Sequence, residues 1–224
     1  MCGRFVQYTV PKELAEQFTL DGWCAAEPHY NVAPTQSVLT VRVSENGARE
    51  LVKLRWGLVP AWSEGPDNRY SMINARAETV SRKPAYRSAF ASRRCLIPAD
   101  GFYEWQPGEH GKTPFLIRRQ DRQPFAMAGL WEHWQGKTGE VIESCTTIVT
   151  DANALVRDIH DRMPVILSPA DYGAWLDPAT KDTDRLRALL RPADPEAWTL
   201  REVSRDVNSP KNDSPELIEA VAAS

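Results

Sequence analysis

The second residue of this chain is Cys2, directly after Met1. Cysteine is small enough to permit loss of an initiator methionine, and that loss exposes a 1,2-aminothiol, an α-amine and a thiol on adjacent carbons. A terminal α-amine titrates near about 7.7–8.0 against ~10.4 for lysine, so a useful fraction is unprotonated at neutral pH. The thiol is a second nucleophile that a neighbouring base can activate. Two reactions suit the pair. The thiol can attack an amide with the amine as its base, or the amine can form an imine with an aldehyde, after which the thiol closes a thiazolidine ring. Only the second needs both groups, because ring closure is intramolecular. The other cysteines, Cys24, Cys95 and Cys145, are widely spaced with no CxxC pair. That spacing disfavours a zinc site, and a reducing compartment disfavours disulfides. Cys95 and Cys145 lie in apolar stretches and read as inert core residues.

Glu104 sits among aromatics in Asp-Gly-Phe-Tyr-Glu-Trp, where a carboxylate is costly unless it has a task or a partner. His160 is one of four histidines and is expected at the end of a short helix. Arg4, Arg76 and Arg162 stand two residues beyond Cys2, Asn74 and His160. In an extended segment that spacing puts each pair on one face, where a guanidinium can meet a phosphate beside the reactive centre. An intramolecular ion pair is the competing role for each arginine. The net charge of −3 gives no global support for nucleic-acid binding. Basic residues nevertheless crowd the stretch Arg69, Arg76, Arg82, Lys83, Arg87, Arg93 and Arg94 around one acid, Glu78. This is either a phosphate-tracking face or a solvated surface.

The elements that must position these groups are short. Pro11–Phe18 reads as a helix with Pro in its first turn and Leu14 and Phe18 one turn apart. Strands are expected at Ser37–Val43, Leu51–Trp56, Arg94–Ile97, Phe115–Arg118, Phe125–Trp131, Cys145–Thr150 and Val165–Leu167, all rich in β-branched or aromatic residues. Helical candidates are Pro84–Ala91, Ala152–Asp158, Pro169–Leu176, Thr183–Leu190 and Pro215–Val221. The mixture predicts one α+β domain over residues 1–224, a twisted, mostly antiparallel and partly closed β-sheet with peripheral short helices. Residues 177–200 are expected to be a peripheral helical excursion. No GxGxxG or Walker A motif is present, which weakens a nucleotide-binding reading. No stretch is long and apolar enough for a membrane span, and the opening Met-Cys-Gly-Arg-Phe lacks the long apolar stretch of a signal peptide, so a cytoplasmic, nucleoid-associated protein is expected.

Six collinear motifs make the chain resemble the SRAP family (SOS-response-associated peptidases), which includes bacterial abasic-site shield proteins. They are Met-Cys-Gly-Arg-Phe at 1–5, Tyr-Asn-Val-Ala-Pro at 30–34, Arg-Trp-Gly-Leu-Val-Pro-Ala-Trp at 55–62, Ile-Asn-Ala-Arg-Ala-Glu-Thr at 73–79, Arg-Arg-Cys-Leu-Ile-Pro-Ala-Asp-Gly-Phe-Tyr-Glu-Trp at 93–105 and Ile-His-Asp-Arg-Met-Pro at 159–164. The tail at 203–213 is also family-like. The resemblance implies a covalent crosslink between Cys2 and the ring-opened sugar of an abasic site in single-stranded DNA, with 3′ junctions at stalled forks as one form of that partner. It implies Glu104 as the proton-moving carboxyl, His160 as an acid/base that assists crosslink reversal, and Asn74 as a holder of the sugar hydroxyls or the Cys2 amine. It further implies Arg4, Arg76, Arg162 and, on a looser match, Arg82 as phosphate contacts, with Pro34 and Trp62 wedged against the base stack. Trp56 and Trp105 read as core or pocket lining. The chemistry calls on no metal or organic cofactor, and a monomer suffices for it. The competing readings are an amino-terminal-nucleophile amidohydrolase or peptidase, and a noncatalytic single-stranded-DNA or junction-binding module.

Overall fold

A computed structural model describes residues 2–66, 72–109 and 111–221. Met1, and Arg69 of the basic run, lie outside the described residues. The architecture is α+β and mostly antiparallel, as expected. Among the described residues the strands are β1 (Phe5–Gln7), β2 (His29–Val32), β3 (Ser37–Val43), β4 (Arg49–Trp56), β5 (Asn74–Arg76), β6 (Arg94–Ala99), β7 (Gly101–Gly108), β8 (Gly111–Arg119), β9 (Phe125–Gln135), β10 (Val141–Asp151), β11 (Arg162–Pro164), β12 (Ile166–Leu167) and β13 (Trp198–Glu202). Helices are α1 (Pro11–Phe18), α2 (Arg87–Ser92), α3 (Tyr172–Leu176) and α4 (Thr183–Ala188), with short 3-10 turns between.

The strands form two sheets. The order in the first is β13-β8-β7-β1-β2, and all its pairings are antiparallel. In the second, β10 pairs β4, β4 pairs β3, β3 pairs β6, β6 pairs β9, and β9 returns to β10, so five strands close into a barrel. Closure removes the exposed edges that an open sheet of this size would carry. Strand β10 is long enough to serve twice: its first half pairs β9, and Thr147–Val149 takes β5 in parallel register. Those parallel contacts with β4 and β5 are the exception to the antiparallel expectation.

Between the sheets lies a core containing Phe5, Trp56, Ile97, Phe102, Ile117, Phe125 and Met127, and Cys2 belongs to it. Cys95 and Cys145 are fully buried there, and burial pushes the Cys145 thiol up to about 12, consistent with inert core thiols. A second core beneath the helices takes Leu14 and Phe18 of α1 together with Trp175 of α3. The outer face of the first sheet is covered by the tail, through Val203, Val207 and Leu217 packed on Val6, Tyr103 and Leu116.

Differences from expectation have local causes. Ala152–Asp158 is a run of turns, not a helix: the Ala152 N–H donates to Asp161 O (3.0 Å), closing the segment as a loop between β10 and β11, and the Asn153 side chain caps the first turn by accepting the Val156 N–H (3.1 Å) while donating to Ala193 O (2.9 Å). His160 therefore leaves a turn rather than a helix. The 177–200 stretch is helical and turn-like as far as Ala197, but Trp198–Leu200 begin β13, which pairs with β8 and buries Trp198 against Phe125 and Phe102. Pro84–Ala91 becomes helical only from Arg87, and Pro215–Val221 only as a 3-10 turn to Ile218. In that last case Ala220 is drawn into a bridge with Val203.

Candidate active site

Strand β1 delivers Cys2. Its pairing with β7 sets Phe5 opposite Phe102, and Tyr103 N–H donates to Arg4 O (3.0 Å), so the residues before Phe5 run beside Glu104 and Trp105. The Phe5 ring meets Trp56 edge-on at 4.9 Å. Trp56, fully buried, donates from its indole to Ile73 O (3.1 Å), and Thr147 N–H donates to the same oxygen (2.9 Å). Asn74 follows, and its Nδ2 donates to Cys2 O at 2.7 Å. A buried aromatic pair thus fixes both the strand that carries Cys2 and the residue that holds its carbonyl. The Asn74 Oδ1 is buried with no partner among the described residues.

Glu104 projects from β7 on the same face as Phe102 and is 2 % exposed. One carboxylate oxygen, Oε1, has no hydrogen-bond partner among the described residues. Burial, partly offset by the positive chain terminus, raises its pKa to about 7. A carboxyl poised there can both give and take a proton at neutral pH. The Cys2 thiol is pushed well above its ordinary value, first by burial and then by the Glu104 charge, so it rests as the protonated thiol.

His160 shares a cleft of about 470 Å³ with Glu104, lined also by Arg4, Trp105, Lys112 and Asn208. Its Nδ1 accepts the Arg162 N–H at 3.0 Å, which leaves the proton of the neutral ring on Nε2. Asp161 Oδ1 lies 2.9 Å from the same Nδ1, a contact that favours only the protonated ring. Asp161 is largely exposed, and burial dominates, lowering the His160 pKa. The imidazole is therefore neutral at physiological pH.

The expected phosphate contacts divide. On β5, Asn74 and exposed Arg76 flank buried Ala75, so the two share a face as their spacing predicts. Arg162 instead sits in ion pairs with Glu78 (2.6 Å) and Asp151 (3.3 Å). Arg4 lines the cleft, but its Nη1 donates to Asn31 Oδ1 (2.7 Å) and Val207 O (2.8 Å). Arg82 is exposed, with a long bond to Glu78 O at 3.3 Å. Trp62 is 70 % exposed, and Pro34 is half-buried just before Thr35, whose φ is 74°. None of Pro34, Trp62, Arg76, Arg82 and Arg162 lines the cleft. Trp56 is core and Trp105 lines the cleft, as read from the sequence.

Three residues of this neighbourhood carried no assignment from the sequence: Asn31, Lys112 and Asn208. Asn31 stands in the Tyr-Asn-Val-Ala-Pro motif and is 2 % exposed, with Nδ2 donating to the carbonyls of Val207, Ser209 and Asn212. Asn208 lies in the family-like tail, which was a signal without a role. Nothing in its sequence context distinguishes Lys112 from any hairpin lysine.

The chain is 46 % identical over 224 residues to the abasic site processing protein YoqW of Bacillus subtilis (strain 168), covering 98 % of this chain and 100 % of that one. It is 33 % identical over 234 residues to the abasic site processing protein YedK of Escherichia coli (strain K12), covering 99 % and 100 %. A crystal structure of a protein from Bacteroides thetaiotaomicron superposes with a TM-score of 0.89 at 26 % identity, covering 99 % of this chain and all of that one. The family model for SOS response associated peptidase (SRAP) matches residues 1–210, and the chain belongs to that family.

Proposed function

We propose that this protein captures abasic sites in single-stranded DNA through the aminothiol of Cys2, after Met1 has been removed. Relatives named as abasic site processing proteins support the class of lesion. The observation that carries the mechanism is the buried carboxyl of Glu104, with an unpartnered oxygen and a pKa near 7, acting on a Cys2 whose carbonyl Asn74 holds.

The raised thiol pKa sets the order of steps. A protonated thiol is a poor first nucleophile, whereas a terminal α-amine is partly free at neutral pH. The amine adds to the sugar aldehyde to give a carbinolamine, and the acid form of Glu104 protonates the departing hydroxyl, which leaves as water. Loss of that water leaves an iminium whose nitrogen keeps its hydrogen; the Cys2 sulfur then adds to the iminium carbon, its proton passes to the Glu104 carboxylate, and the ring nitrogen ends as a neutral amine. One water is lost overall, with no oxidant or reductant. His160, as a neutral donor from Nε2, assists opening of the sugar and, in reverse, opening of the thiazolidine. Asn74 Oδ1, a buried acceptor in want of a donor, is placed for a sugar hydroxyl or the Cys2 amine. The same burial of the thiol disfavours the amidohydrolase alternative, which needs sulfur to attack first. Removal of Met1 by Glu104 and His160 within the chain is part of this proposal.

The test is incubation with single-stranded DNA carrying one abasic site, followed by a denaturing gel. The wild-type chain gives a retarded band that survives heat and detergent. Cys2→Ala gives no such stable band, and Cys2→Ser gives only an imine that borohydride traps. A stable band from Cys2→Ala contradicts the mechanism, and glutamine turnover lost with Cys2→Ala would support the amidohydrolase instead.

A further inference from the structure

One wall of the cleft is not used by this chemistry. Asn208 ends the 3-10 turn Arg205–Asn208 of the tail, and its Oδ1 accepts the Trp105 indole N–H at 2.7 Å. An indole nitrogen only donates, so the amide oxygen must face it and Nδ2, with two N–H groups, must point elsewhere. No described residue accepts a hydrogen bond from that Nδ2. Lys112 stands opposite Pro107 in the β7–β8 hairpin, is exposed, and has no ion-pair partner among the described residues. Both line the same cleft as Glu104 and His160. Their wall therefore offers donors and positive charge without an acceptor, a surface suited to an anion.

The wall is also held in place. Asn31 ties down three carbonyls of the tail, and Asp213 Oδ1 accepts the Asn31 N–H at 3.0 Å while its Oδ2 pairs with His29 at 2.7 Å. Arg4 Nη1 bridges Asn31 and Val207 O, adding a third anchor. Neither Arg76 nor Arg82 reaches this cleft wall.

Resting on the capture reaction above, we infer that Lys112 and the Nδ2 of Asn208 bind a phosphate next to the abasic sugar and so position its aldehyde for Cys2. They are positioning residues, distinct from the reacting groups, and the ligand chemistry is a phosphodiester of the lesion strand.

Noncovalent binding tests this, measured in a Cys2→Ala background with an oligonucleotide bearing a reduced abasic sugar, across a range of salt. Lys112→Ala weakens binding about tenfold and lowers the salt slope by ~0.7, the value for one single-strand phosphate contact, while Lys112→Arg keeps the slope. Asn208→Asp separates recognition from architecture. The aspartate still accepts the indole N–H, so a purely structural role leaves binding intact. A phosphate contact instead sets the new charge against the ligand and weakens binding beyond the loss in Asn208→Ala. Parent-like binding by Asn208→Asp, or an unchanged slope in Lys112→Ala, overturns the inference. Absence of an adduct from the wild-type chain, with this binding pattern intact, overturns the capture reaction and leaves the phosphate contact standing.

Discussion

At Glu104, burial is the largest influence on the titration that the proposed role requires. The carboxyl is almost fully enclosed and has an unpartnered oxygen, so its neutral form is favoured and its pKa rises to about 7. A raised folded-state pKa means the native state holds the proton more tightly than the unfolded chain. The associated stability is full below about 4.5 and is lost as pH rises through about 7. Glu104→Gln keeps the shape and removes the titration. It should slow adduct formation by about 100-fold. It should also raise the thermal midpoint above that of the parent at pH 8.5, by roughly 5–10 °C for an effect of about 3 kcal/mol, with little change at pH 4.5. Calorimetry at the two pH values decides this, and a gain independent of pH would contradict a charged, buried Glu104. Asn74→Ala leaves Cys2 O without its donor and should slow the reaction about tenfold while costing about 1 kcal/mol of stability, read from adduct kinetics and urea midpoints.

The elements explain why so much of the site was legible in the sequence and why some was not. Strands with dense β-branched or aromatic runs, such as Ser37–Val43, were readable to the residue, and α1 likewise, because Pro11 and the Leu14–Phe18 spacing mark it. Strands β1, β5 and β11 are three residues long, too short for any period, and exist only because longer neighbours offer them hydrogen bonds. Those short strands carry or adjoin Cys2, Asn74 and His160, so their motifs marked these residues as candidates while their conformation stayed hidden. The spacing argument succeeded for Asn74 and Arg76, which lie within a strand, but Arg162 found carboxylates nearby. Strand β13 was masked by the polar, Pro-punctuated stretch before it. Its Trp198 meets Phe125 at 4.8 Å and is 5 % exposed. Trp198→Ala should therefore cost roughly 3–5 kcal/mol, seen as a lower urea midpoint, with residual folded protein still reactive because β13 lies two strands from β1's partner β7 only through β8.

At the scale of the whole molecule, two sheets and a returning tail converge on one small cleft. The first sheet supplies Glu104, Trp105 and Lys112, the residue just before β1 is Arg4, the tail supplies Asn208, and the segment after β10 supplies His160. The second sheet contributes Asn74, which does not line the cleft but holds the Cys2 carbonyl from β5. No described helix is long and apolar enough to cross a membrane. With a net charge of −3, long-range attraction to DNA is weak, so the proposed capture rests on local cations such as those at the cleft and on β5. The most direct measurement of the central claim is the intact mass of the adduct on abasic single-stranded DNA, with and without brief borohydride treatment, and peptide mapping of the linkage. Capture by the Cys2 aminothiol predicts the mass of the chain without Met1 plus the oligonucleotide minus one water, unchanged by borohydride, with the link on Cys2. A linkage on any lysine, an adduct that retains Met1, or a product that borohydride reduces would contradict it.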